Sequence, residues 1–116
     1  MWSEGLQAAE TEVAWLAREL LPQLIATGSQ ERVAGGWQVG VPRVAALEDQ
    51  LTALEASAPA LDDGARARAL RDAVRTSRAR VEAVTAGGVQ ETWVLGLNEA
   101  IAQLEAALAP SAQTPA

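Results

Sequence analysis

The chain has 116 residues and a formal net charge of −6, and it contains no Cys, His, Tyr or Phe. This length suits one domain with one core. All nine basic residues are Arg, so Lys is absent as well. Without Cys, the chain cannot form a disulfide or a zinc–thiolate site, and without Cys, His or Lys it cannot form a familiar catalytic triad. We therefore predict no enzymatic activity, no catalytic residues, no cofactor and no metal ion.

The beginning of the sequence has neither the basic start nor the apolar run of a secretory signal. No apolar stretch approaches the ~20 residues that a membrane-spanning helix needs. We expect a cytoplasmic protein that has no membrane partner. The acidic balance also argues against a nucleic-acid footprint over the whole surface, although a local basic patch is compatible with it.

The first predicted helix runs from about Ser3 to Thr27. Its apolar residues recur at steps of three and four, which is the spacing of one helix face: Leu6, Ala9, Val13, Leu16 and Leu20. Pro22 cannot donate a backbone hydrogen bond, so we expect a kink or a short break there. Gly28 is the predicted end of the helix.

A small β-hairpin is predicted around residues 31–41. Trp37, Val39 and Val41 alternate with Gln38 and Gly40, which is the period of a strand. The Gly-Gly pair at 35–36 stands between two short runs and is typical of a hairpin turn. The alternative is an irregular loop anchored by one buried tryptophan.

The second predicted helix begins at Pro42, a favourable first helical residue, and ends near Ser57, before Pro59. The third begins at Asp62 or Asp63 and ends near Ala86. The fourth runs from about Val89 to Leu108.

We therefore predict a mainly α fold, an antiparallel bundle of about four helices with the hairpin between the first and second. Residues 1–109 are expected to form a single helical domain. Residues 110–116, which are rich in Pro, Ala, Ser and Thr, are expected to form a disordered tail.

The third helix carries four arginines at steps of three, four and three, which places them on one helix face: Arg68, Arg71, Arg75 and Arg78. We call these residues the arginine stripe. Guanidinium groups bind phosphates or carboxylates in a bidentate manner. The stripe is therefore a candidate binding surface for an acidic protein or for nucleic acid. The alternative is pairing within the molecule, with acids on neighbouring helices as the partners: Glu10, Glu12, Glu19, Glu48 and Asp49.

Two tryptophans complete the set of candidate partner-binding residues. Trp15 lies beside the apolar face of the first helix, and tryptophan is enriched among the residues that dominate protein interfaces. The alternative is a wide apolar face that buries Trp15. Trp93 is expected to pack in the core or under a loop, but together with Val94 and Leu95 it widens the apolar surface at the start of the fourth helix.

These features predict a non-enzymatic helical module that binds another protein, acting as an adaptor, an assembly factor or a chaperone-like partner holder. Self-association is its simplest form, since two equivalent faces can bury one another in a symmetric homodimer. The alternative is a nucleic-acid accessory protein that binds phosphates through the arginine stripe, with an affinity that falls steeply as salt is added.

Overall fold

Four helices pack together in the computed structural model, which describes residues 1–110. The first helix consists of α1, a π-helical turn and α2 in direct succession. The bounds are α1 Trp2–Trp15, the π-helical turn Leu16–Leu20, α2 Leu21–Ala26, α3 Gln30–Ala56, α4 Leu61–Ala86 and α5 Trp93–Leu108. The predicted mainly α fold is confirmed. Most of the predicted tail, residues 111–116, lies outside the described residues.

The π-helical turn ends two residues before Pro22. Because proline has no backbone N–H, the carbonyl of Arg18 has no partner four residues later. The helical turn contains one extra residue here, and the Leu21 N–H donates to the Leu16 carbonyl five residues earlier. The helix then continues to Ala26 instead of breaking, and Gly28, with φ of 70°, follows its end.

The predicted β-hairpin around residues 31–41 is wrong, because this segment is the first part of α3. Ser29 caps the helix, since its hydroxyl oxygen accepts a hydrogen bond from the Arg32 N–H at 3.4 Å. Pro42 does not begin a helix; it lies inside α3. Pro42 is exposed, so water can hydrate the backbone carbonyl one turn earlier, which has no N–H partner at the proline.

Gly36, one of the two glycines that suggested a turn, and Gly40 instead allow two helices to approach closely. A Cβ atom on Gly36 would lie 2.6 Å from Leu24 Cδ2, and one on Gly40 would lie 2.7 Å from Leu20 Cδ2. Both pairs are four residues apart, so two glycines on α3 face two leucines on the first helix. Their role is close packing.

Each helix runs antiparallel to its neighbours. The Trp2 indole N–H donates to the Leu54 carbonyl at 2.9 Å, which joins the start of α1 to the end of α3. At the opposite end, the Gln30 amide donates to the Val84 carbonyl at 3.0 Å and joins the start of α3 to the end of α4. α4 packs against α3 and α5, and the first helix closes the bundle against the same two helices.

The core contains the leucines and valines whose spacing predicted the helices. Fully buried examples come from every helix: Leu16, Leu47, Leu70, Leu97 and Leu104. Two predicted starts are shifted. α4 begins at Leu61, and α5 begins at Trp93 instead of Val89, which is almost fully exposed in the connection from α4.

Candidate partner-binding surfaces

The arginine stripe lies along the seam between α4 and α3. At one end, Arg68 and Arg71 share the carboxylate of Glu55. Arg68 Nε lies 2.6 Å from Glu55 Oε2, and Arg71 Nη1 donates to Glu55 Oε1. Arg71 also contacts Asp72 at 3.4 Å.

The other two stripe arginines share Glu48, which lies seven residues before Glu55. Arg75 Nε is 3.3 Å from Glu48 Oε1, and Arg78 Nη1 is 2.8 Å from Glu48 Oε2. Glu48 is only 9% exposed. Arg78 also binds Glu82, one turn further along α4, at 3.0 Å.

These contacts favour the charged forms of Glu55, Arg68 and Arg78. The hydrogen bond from Arg68, reinforced by Arg71, holds the pKa of Glu55 below its usual value. The same contact raises the pKa of Arg68, and hydrogen bonds to Glu48 and then Glu82 raise the pKa of Arg78. The stripe therefore carries four positive charges opposite the four negative charges of Glu48, Glu55, Asp72 and Glu82.

The two arginines that flank the stripe also join helices. Arg66 donates to the carbonyls of Ala107 and, at 3.0 Å, Leu108 at the end of α5, and its Nη2 lies 2.9 Å from Glu10 on α1. Arg80 contacts Glu99 on α5 at 2.8 Å. Among the predicted partners, Glu48 therefore pairs with the stripe itself, whereas Glu10 pairs with Arg66.

Trp15 lies partly exposed on α1, beneath an arginine of α3. The Arg43 guanidinium carbon is 3.9 Å from the centroid of the Trp15 ring, a cation–π geometry. Two hydrogen bonds of 2.7 Å join the same guanidinium to Glu12. Hydrogen bonding from Arg43 lowers the pKa of that carboxyl. The ring therefore packs against the core on one side and an ion pair on the other.

Trp93, the other predicted tryptophan, opens α5 and is partly buried against the core. Its neighbour Leu95 is more exposed than buried. The structure therefore separates the predicted residues into three places: the stripe between α3 and α4, Trp15 at the contact of α1 with α3, and Trp93 at the start of α5.

Sequence reasoning missed a further surface, the outward side of α3. Six exposed residues follow one another along it at steps of three and four: Arg32, Gly35, Val39, Pro42, Ala46 and Asp49. We call this the α3 outer face. Val39, near its middle, is 83% exposed. The strand interpretation concealed this face, because only helical spacing brings these residues to one side.

Two further classes of site are not formed by residues 1–110. No group of three or more acidic side chains there is arranged to hold a metal ion. None of the helices in this part of the chain is long and apolar enough to cross a membrane. No protein-family model, curated protein or solved structure matches the chain.

Proposed function

We propose that this chain is a non-enzymatic helical protein–protein interaction module that holds its partner through the α3 outer face. Its role is that of an adaptor, an assembly factor or a chaperone-like partner holder. The observation that carries the proposal is the exposure of Val39 among Gly35, Pro42 and Ala46, since this is a helix face without a long side chain at its centre.

The central residues of this face suit a helix or a flat surface as the ligand. Burying a valine such as Val39 contributes about 1.5–3 kcal/mol. Gly35 and Ala46 add little bulk, so the backbone of a partner helix can approach closely. Arg43 lies one turn from Val39 and covers Trp15, so the candidate partner-binding tryptophan adjoins the rim of the face.

The nucleic-acid alternative stays a prediction, and the contacts of the arginine stripe weigh against it. A phosphate would have to compete with Glu48 and Glu55 for guanidinium groups that they already bind. Each displacement would leave an acid near a helix seam without its partner, which is costly for the almost buried Glu48.

Site-specific crosslinking tests the proposal. The photoreactive residue p-benzoylphenylalanine replaces Val39 in the organism that encodes the chain. The matched control carries it in place of Thr76, which is exposed on α4. We expect a discrete protein adduct from position 39, absent from position 76, that is lost when Ala46→Glu is added. No adduct from position 39, or equal adducts from both positions, would overturn the proposal.

A further inference from the structure

We propose that the occupant of the α3 outer face is a second copy of this chain, whose α3 packs antiparallel to the first across a twofold axis. The inference rests on the proposed function, because it names the partner for that same face. It assigns an ion pair between Arg32 of one copy and Asp49 of the other.

The spacing of the face is the same when it is read from either end. Its six residues are separated by three, four, three, four and three positions. An antiparallel copy centred between residues 40 and 41 therefore places Val39 opposite Pro42 and Gly35 opposite Ala46. A twofold dimer buries the same surface on both subunits, so it requires this kind of self-complementarity.

The charges select the antiparallel alignment. Arg32 lies at one end of the face and Asp49 lies at the other, so an antiparallel copy brings opposite charges together at both ends. A parallel copy would place Arg32 against Arg32 and Asp49 against Asp49. Like charges brought together across an interface strongly disfavour association.

Arg32 is also the exception among the arginines of the chain. Within residues 1–110, each of the other eight contacts a carboxylate on a different helical segment, whereas the Arg32 guanidinium contacts none. Asp49 likewise forms no ion pair in that part of the chain. In a molecule that uses arginine to join helices, these two residues are the opposite charges of the α3 outer face that remain available for a second copy.

The dimensions favour a weak dimer. The face covers 18 residues from 32 to 49, about 27 Å of helix. Its small central residues permit the helix axes to approach to about 8–10 Å. A contact dominated by one helix pair lies at the lower end of stable interface sizes, so we expect a dissociation constant of about 10–500 μM.

Charge exchange tests this pairing in the full chain. Sedimentation equilibrium between about 5 μM and 1 mM measures dimerisation of the unchanged protein and of its variants over the expected range. Arg32→Asp and Asp49→Arg each place like charges together, so each is expected to weaken dimerisation at least about 10-fold. The double variant restores opposite charges and is expected to recover to within about 3-fold of the unchanged protein.

Glu91→Arg is the control, because Glu91 is exposed in the α4–α5 connection and is not part of the α3 outer face. It makes the same change of net charge as Asp49→Arg and should leave dimerisation unchanged. Circular dichroism verifies that every variant keeps its helix content. A double variant that dimerises no better than the single variants would overturn the pairing.

The two proposals can fail separately. An unchanged protein that stays monomeric at 1 mM, the top of the concentration range, overturns the second-copy proposal. If position 39 then crosslinks to a different protein, the proposed function stands. If position 39 yields no adduct either, both proposals are wrong.

Discussion

Arg66 stabilises a helix end and a helix contact with one guanidinium group. It donates to carbonyl oxygens at the end of α5, where the helix dipole favours a positive charge, and it also binds Glu10 on α1. Its side chain is about three-quarters buried, at 24% exposed. The contact therefore joins three helices near one end of the bundle.

Replacement of Arg66 by Ala is expected to reduce the free energy of unfolding by about 1.5–3 kcal/mol, because partly buried carbonyls and a carboxylate lose a charged donor. Arg80→Ala is the matched control on the same helix. Its guanidinium contacts Glu99 where both side chains are more exposed, so a loss below about 1 kcal/mol is expected. Urea unfolding measures both, and equal losses would contradict the role assigned to Arg66.

At the scale of helices, the contact between the first helix and α3 depends on two glycines. Gly36 and Gly40 lie against Leu24 and Leu20, whereas Gly35 has open space where a Cβ atom would be. The same residue type therefore has two different consequences within one helix. Within one molecule the small size of Gly36 and Gly40 is needed at the contact, whereas the missing side chain of Gly35 meets no neighbour and costs helix stability.

Gly35→Ala is expected to raise the free energy of unfolding by about 0.5–1 kcal/mol, because alanine favours the helix. Gly40→Ala gains the same preference but pushes the Leu20 side chain, so it should be about 1–3 kcal/mol less stable than Gly35→Ala. Thermal unfolding of dilute protein compares the two variants. A Gly40→Ala protein as stable as Gly35→Ala would show that the helices do not require this close approach.

The helices that the sequence predicts well are those with an uninterrupted apolar face. Val44, Leu47, Leu51 and Leu54 repeat at helical spacing, and all are buried in α3. The first part of the same helix was missed because Gly36 and Gly40 replace large apolar residues on its inner face. Small residues there carry no hydrophobic signal, and the alternation of Trp37, Val39 and Val41 suggested a strand instead.

The candidate surfaces were predictable to different degrees. Helical spacing alone placed the arginine stripe on one face of the third predicted helix. Its partner Glu55 was not among the predicted acids, since that pairing depends on how far α3 and α4 are offset. The α3 outer face required the correct secondary structure first, because Pro42 lies on one side with Val39 in a helix but not in a strand.

At the scale of the whole molecule, arginine–carboxylate contacts join every helix to a neighbour. Arg18 joins the first helix to α5, Arg43 joins α3 to α1, and the stripe joins α4 to α3. Buried leucines supply the core, and these pairs lie around it. The α3 outer face stands apart, because apolar surface and unpaired opposite charges occur there together.

The second-copy proposal requires that this protein self-associates through the α3 outer face. A dilution series of ¹H–¹⁵N NMR spectra from about 1 mM to 20 μM tests it most directly, because it locates association without altering the chain. We predict concentration-dependent shifts along residues 32–49, with the amides around Thr76 on α4 unchanged. Spectra that do not change on dilution, or shifts centred on another helix, would contradict self-association through this face.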